Sequence, residues 1–334
     1  MTYNRRTFAT GAAATFASIG IVRARARAAQ FAYKYASNID VSHPLNVRMV
    51  EMWKAIKDET GGRLDVQNFP NNQLGGDTAM LTQLRSGALQ FFTLDGGILQ
   101  SVVPVAAIQG VGFAFRNSAE AFRAMDGALG DYVRNDIKAK GLWVFDRMWD
   151  NGMRDITSSK GPIRTAEDLL NFKIRTPAGK LWVDLFKALG ASPTPLNFNE
   201  VYTALQTHVI DGQENPPAIL QTARLYEVQK YLSITNHMWS AFHLLGNMDA
   251  WNALPPDVQG VVTRNSRKYA LLQRRDVQLL NDTLIDKLHR EGMAVNTADV
   301  STFRSKLSGF YHQYHTEFGD TAWGLLERYS GKLG

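Results

Sequence analysis

Between Asn171 and Leu220 the chain reads NFKIRTPAGKLWVDLFKALGASPTPLNFNEVYTALQTHVIDGQENPPAIL, and its punctuation leaves few folds open. Phe172-Lys173-Ile174 runs extended into Arg175, and Thr176-Pro177 stops it. Pro177 suits the first turn of a helix, where a missing N–H costs little. Leu181, Leu185 and Leu189, with Phe186, recur at helical spacing, and Gly190 stands where a helix end wants left-handed backbone. Residues 193–198 form a second extended run. Asn199 reads as the N-cap of a helix bearing Val201, Leu205 and Val209. Asp211-Gly212 then turns the chain into Gln213-Glu214-Asn215-Pro216-Pro217. The result is a strand–helix–strand–helix unit with an arginine ending its first strand. In open α/β layers ligands sit beyond the carboxyl ends of strands, and a guanidinium fork matches a carboxylate with two parallel hydrogen bonds. A surface ion pair explains such an arginine equally well. Chemistry alone leaves both readings open for Arg175.

The same alternation runs through the rest of the chain. Residues 31–37 and 64–69 read as strands, with a helix face of Met49, Met52, Trp53 and Ile56 between them that Gly61-Gly62 ends. Met80, Leu81 and Leu84 mark a helix ended by Gly87, and 89–94 a buried strand followed by Asp95-Gly96-Gly97. Such alternation predicts an α/β fold with a mostly parallel sheet covered on both faces. Residues 119–140 read as one helix and 142–149 as a strand, which Asn151-Gly152 breaks and 153–157 resumes. That resumption is the expected first crossover between two lobes, and 232–235 returns. Pro255-Pro256 opens a helix reaching to about Arg290, longer than most and able to brace both lobes. Terminal helices follow over 299–333. The expected division is 1–29 as a leader, 30–152 plus 241–280 as lobe I, and 153–240 plus 281–334 as lobe II.

A formal charge of +6 invites a nucleic-acid reading, but the excess sits in one place. Residues 1–29 carry Arg5, Arg6, Arg23, Arg25 and Arg27 and no acid, leaving 32 basic against 31 acidic residues beyond them. Nucleic-acid binding thereby loses its support. The leader has a basic start, a small and apolar middle over 9–22, and small-residue exits such as Ala24-Arg25-Ala26 and Ala26-Arg27-Ala28. These are the parts of an export signal, and Arg5-Arg6 with Phe8 resembles a twin-arginine one. The absence of cysteine excludes a disulfide framework and thiolate chemistry.

KIRTP, GASPTPLNFNEVYTALQ and DGQENP resemble the signature region of the solute-binding proteins of tripartite ATP-independent periplasmic (TRAP) transporters. FPNNQLGGDTAMLTQLRSGALQF, NGMRDITSS and YEVQKYLSITNH extend the resemblance over nearly all of the chain after residue 30. It implies a two-lobed periplasmic binding protein with a hinged cleft, which captures an organic acid and presents it to a small and a large membrane permease subunit, without cofactor or catalysis. Arg175 then falls on the arginine that grips the ligand carboxylate, Arg154 and Asn215 on further contacts to it, and Phe198 on an apolar residue packed against the ligand. Asn38, Asp77 and Asp95 match positions lining the pocket from the first lobe in the sialic-acid-binding branch.

Bland readings stand beside these. Arg154 has Asp150 and Asp155 as nearby ion-pair partners, Asn215 before Pro216 suits a turn, and Asp77 after Gly75-Gly76 reads first as a helix N-cap. His43, Trp149 and Trp239 could wall the site, though tryptophans are more often core. Two arginines select an anion. If Asp95 faces it as an anion, a second ligand carboxylate is repelled and hydroxyls are welcomed. That favours a sugar acid such as a hexuronate over a C4-dicarboxylate. A periplasmic sugar-acid enzyme using Asp95 or His43 as base, and a sensor's ligand-presenting partner, are the rival classes. No phosphate loop, H-E-x-x-H or G-x-S-x-G occurs. His312, His315 and Glu317 could reach one metal from a helix face, but read better as a solvated face.

Overall fold

The computed structural model describes residues 29–334; the leader read over 1–29 lies, but for Ala29, outside them. Ten strands form one sheet: β1 Phe31–Ala36, β2 Leu64–Phe69, β3 Phe91–Asp95, β4 Leu142–Val144, β5 Trp149–Ser158, β6 Lys173–Thr176, β7 Ser192–Pro195, β8 Gly212–Asn215, β9 Tyr231–Asn247 and β10 Ala294–Thr297. Along it the order is β2-β1-β3-β9-β5-β8-β6-β7, with β4 and β10 also on β9. The two wings are parallel, β1 with β2 and β3, β6 with β7 and β8. The centre is antiparallel: β9 runs against β3, β4 and β5, and β5 against β8. The parallel sheet expected from alternation is thus two parallel halves stitched together by β5 and β9.

The seventeen-residue β9 is the main departure from the sequence reading, which saw only its first turn of chain. Leu142–Val144 and Trp149–Ser158 are separate strands, and Asn151-Gly152 does not break the second. It makes a bulge: pairing with β9 shifts register between Asp150 and Gly152, and Gly152 adopts φ +116°, a conformation that costs glycine least. A second shift falls between Arg154 and Ile156. There the Asp155 carboxylate accepts the backbone N–H groups of Thr235 and Asn236, both at 2.9 Å, which the irregular ladder leaves unpaired.

Helices cover both faces: α1 Pro44–Glu59, α2 Asp77–Ser86, α3 Gly96–Leu99, α4 Ser118–Met125, α5 Ala128–Ala139, α6 Lys180–Ala188, α7 Val201–Gln206, α8 Pro217–Thr222, α9 Met248–Ala253, α10 Pro256–Arg290, α11 Val300–Arg304 and α12 Ser308–Ser330. The single helix expected over 119–140 is two, parted at Asp126-Gly127. Asn199 is not the cap expected of it. Asn197 accepts the N–H of Glu200 while the Glu200 carboxylate accepts that of Asn197, a reciprocal box that satisfies two otherwise orphaned donors. Pro177 lies outside α6, which begins at Lys180.

At 35 residues, α10 is about 52 Å long and braces the molecule as expected. It packs on α1, on β5 and on α8. Arg48 pairs with Asp276 at 2.5 Å, and Gln273 brackets Asp150, accepting its N–H and donating to its carbonyl at 2.8 Å each. The helix α12 was expected with lobe II, yet its apolar face meets α4, α5 and the turn at Pro104–Gly110 as well as α6, and Tyr311 donates to the Gly112 carbonyl at 3.0 Å. Phe310, Tyr314, Phe318 and Trp323 are buried in one core with Val105, Ala106, Ala107 and Ile108, an apolar floor whose burial draws them there.

Candidate functional site

Where the two halves face each other they enclose a space of about 30 Å³ lined by Asn38, Asp77, Asp95, Asn151, Arg154, Arg175, Trp182, Phe198, Asn215 and Ser240 among others. Its mouth is shut by contacts between halves. Asn197 packs on Gly76, where a Cβ would come within 2.8 Å of its Cγ. A Cβ on Gly97 would lie 2.1 Å from the Trp182 ring. Gln100 accepts the N–H of Leu181 at 3.0 Å. Glycine at 76 and 97 is therefore what allows this approach.

Arg175 is the penultimate residue of β6, one short of the strand end expected of it, with 2% of its surface exposed. Its Nε and Nη2 both donate to the Leu196 carbonyl, at 3.1 and 2.7 Å, which fixes the plane of the fork. Phe198 lies beneath it, 5.8 Å from guanidinium carbon to ring centre, a cation–π contact. Among the described residues no carboxylate stands within 4.0 Å of it. Burial pushes its pKa down to about 10, so it stays charged at neutral pH.

Arg154 is held differently, and by neither acid expected of it. Glu214 grips it through both carboxylate oxygens, Nη2 to Oε1 being 2.7 Å. The same Nη2 reaches the Glu214 carbonyl at 2.7 Å and Asn215 Oδ1 at 3.0 Å. Nη1 contacts only Ser240 Oγ, at 3.2 Å. His237 supports Glu214 from behind: Nε2 lies 3.1 Å from Oε2, and Nδ1 lies 2.8 Å from Thr235 Oγ1. Burial opposes charge on Glu214, but Arg154 and His237 outweigh it and hold the carboxyl below its usual range. Asn215 donates to Gln213 at 2.6 Å, so its amide is fixed rather than a loose turn.

The opposite wall is acidic. Asp77 is the first residue of α2 and not its cap, which is Gly76. The Asp77 side chain accepts from Asn38 Nδ2 at 3.1 Å, while Asp77 Oδ1 and Asn38 Oδ1 are buried without a partner. Burial pushes its pKa up to about 6. Asp95 caps α3 by accepting the Gly97 N–H at 2.8 Å and accepts from Ser240 at 2.7 Å; burial raises its pKa too. It both caps and lines the cleft.

Three sequence candidates lie outside this space. His43 caps α1, its Nδ1 accepting the Leu45 N–H at 3.1 Å. Trp149 is core between α1 and α10. Trp239 packs edge-on against Phe115 and Phe122 and donates to Asp150 at 3.3 Å. Of the three histidine-face residues, Glu317 bonds Lys180 and Gln100, and His315 bonds Asp320. Sequence reading missed Trp182, Asn151 and Ser240. Trp182 sits one place from Leu181 on the α6 face, 5.6 Å beneath Arg154. Asn151 is the extra residue of the bulge, donating to Ser240 at 3.0 Å.

Two α/β halves closed over a buried, unpaired arginine define a solute-binding protein of the hinged-cleft class. The family described as bacterial extracellular solute-binding protein, family 7, matches residues 35–317, and the chain belongs to it, the family of TRAP periplasmic solute-binding proteins. The 2,3-diketo-L-gulonate-binding periplasmic protein YiaO of Escherichia coli K12 is 34% identical over 242 residues, 72% of this chain and 74% of its own. A TRAP solute-binding protein from Polaromonas sp. JS666, bound to D-erythronate, superposes with TM-score 0.86 at 30% identity, covering 90% of this chain and 100% of that one. One from Sulfitobacter sp. NAS-14.1 with β-D-galacturonate gives 0.85 at 25%, over 90% and 100%. One from Sulfurospirillum deleyianum with succinate gives 0.86 at 25%, over 90% and 99%. No described helix is long and apolar enough to cross a membrane.

Proposed function

We propose that the chain is the periplasmic binding subunit of a TRAP transporter and captures a hydroxylated monocarboxylate, a sugar acid such as a hexuronate, for the small and large permease subunits. The observation that carries this is Arg175: a charged fork, buried, aligned by a carbonyl and without an acidic partner among the described residues. A buried charge demands a counter-charge, and a ligand carboxylate supplies one in the geometry a guanidinium favours. Arg154 Nη1 adds a second donor to the same wall.

Asn38, Asp77 and Asp95 supply acceptors on the other wall, suited to ligand hydroxyls and repellent to a second carboxylate. The galacturonate- and erythronate-bound neighbours support that choice; the succinate-bound one supports a dicarboxylate in the same role. The acid enters an open cleft, Arg175 pairs with it, and the halves close about β5 and β9. Closure follows because the closed form binds more tightly. Every charged group of the cleft has a role in binding and none needs a bond broken, which supports transport over catalysis. The leader over 1–29, with its twin-arginine-like Arg5-Arg6, supports export to the periplasm.

Thermal unfolding with D-galacturonate, L-gulonate, D-erythronate and succinate tests this, with Arg175→Ala alongside. An acid at 100 times its Kd stabilises by about 2.7 kcal/mol. A sugar acid should shift wild type and not the variant. A succinate shift alone would replace the sugar acid by a dicarboxylate, and a shift that survives loss of Arg175 would end the reading.

A further inference from the structure

A bulge frees one residue from its ladder and re-aims that side chain. In β5 the residue is Asn151: the pairing with β9 skips it between Asp150 and Gly152, and its side chain lines the cleft together with that of Arg154. Asn151 is only 3% exposed. Its Nδ2 donates to Ser240 Oγ at 3.0 Å, the same oxygen that Arg154 Nη1 reaches at 3.2 Å. The amide and the outer end of the guanidinium are thus neighbours on one hydroxyl.

Ser240 settles which way that amide points. A hydroxyl has one hydrogen to give and two lone pairs to fill. The Ser240 hydrogen goes to Asp95 Oδ2 at 2.7 Å, so its other neighbours must donate to it. Arg154 can do nothing else, and Asn151 must present its NH2. Asn151 Oδ1 is then turned away from Ser240, and it is buried with no hydrogen-bond partner among the described residues. A buried acceptor left unmet is costly, and in a binding cleft the ligand is what meets it. Only a donor will serve: this oxygen opposes a carbonyl, an ether oxygen or a second carboxylate.

We propose that Asn151 is a specificity-determining residue: its Oδ1 accepts the hydroxyl on carbon 2 of the bound acid, the carbon that carries the carboxylate. This rests on the proposed function, in which Arg175 and Arg154 Nη1 hold that carboxylate. A carboxylate oxygen on Nη1 leaves carbon 2 next along the ligand, and its hydroxyl is the first donor able to reach an acceptor beside Nη1. Asn151 thereby narrows the sugar acid to one with a free hydroxyl at that carbon. An open-chain aldonate has it. A ring-closed hexuronate carries its ring oxygen there, an acceptor set against an acceptor. Asn38, Asp77 and Asp95 remain for the hydroxyls farther along the chain.

The test is titration calorimetry of the whole chain with D-erythronate and D-galactonate, each beside its 2-deoxy and 3-deoxy counterparts. In wild type the 2-deoxy acid should bind about tenfold to a hundredfold more weakly than its parent, because it leaves the Asn151 acceptor unmet. In Asn151→Ala that penalty should fall to about threefold or less while the 3-deoxy penalty stands. A merely structural loss would weaken all three acids alike. Ser240→Ala, which frees the amide to rotate, is the second variant and should shrink the same penalty. A wild-type 2-deoxy penalty under about threefold, or one that both variants leave intact, would overturn the assignment. So would binding of D-galacturonate or succinate with neither aldonate bound, an outcome that leaves carboxylate capture standing. Binding of none of these acids would end the proposed function itself, and the role of Asn151 with it.

Discussion

The two walls of the cleft carry charge in opposite ways. The second-half wall holds two arginines, one locked by Glu214 and His237, the other, Arg175, tied only to a carbonyl. The first-half wall holds two carboxyls, Asp77 and Asp95, that no cation pairs and that burial makes reluctant to ionise. A buried pair such as Arg154–Glu214 is already compensated and serves to place one N–H; an unpaired buried charge is an unmet demand that a ligand answers. In the proposed function the arginine wall sets whether an acid binds, and the acidic wall sets which one.

That contrast can be broken from either side. The largest effect is expected at Glu214→Ala, which strands Arg154 without a counter-charge: chemical denaturation should show a loss of about 3–5 kcal/mol, and a small loss would mean Arg154 finds solvent. Next, Arg175→Ala should cost the acid about 2–5 kcal/mol of binding while leaving stability nearly unchanged, because its charge had no partner to strand. Equilibrium binding and denaturation curves together check the split.

At Asp77 the expectation concerns pH. Its folded pKa, about 6, lies above the ordinary 3.8, so the folded state holds the proton more firmly. The associated stability is complete below about pH 4 and lost as pH rises through 6. Asp77→Asn should therefore gain on wild type by up to about 3 kcal/mol between pH 4 and pH 8, measured as paired denaturation curves. A gap independent of pH would mean Asp77 ionises freely. The smallest effect is expected at Asp95→Asn, which should bring succinate and a sugar acid about tenfold closer in affinity. An unaltered ratio in competition titrations would remove Asp95 from ligand selection.

Much of the parallel wings was legible because their signals are local. The strand at Leu64–Phe69, the helix Asp77–Ser86 with Gly87 after it, and the start of α10 at Pro256 are each written in contiguous residues. The seventeen residues of β9 were not, because Asn236, Gly246 and the polar Ser240, His243 and Asn247 interrupt any run that reads as one strand. Only partners distant in sequence hold it extended. The site divides likewise. Arg175 was visible as an arginine near the end of a strand, whereas Ser240 and Asn151 meet only through the β5–β9 pairing. Asp77 was misread as a cap since Gly76, with no side chain to cap with, takes that place. His43 looked like a pocket residue because nothing in its local sequence shows its Nδ1 capping α1.

The sharing of β9 among β3, β4, β5 and β10 has a consequence for how the chain acquires its shape. Neither half owns a finished sheet until residue 247 is in place, since without β9 the open edge of β3 in the first half and of β5 in the second has no partner. Contacts of such long sequence separation form late and slowly. A nascent chain that ends before Tyr231 holds two incomplete sheets with open edges, the kind of species that aggregates. The strand that couples the halves as a hinge thus also makes them fold as one cooperative unit, with no half able to precede the other.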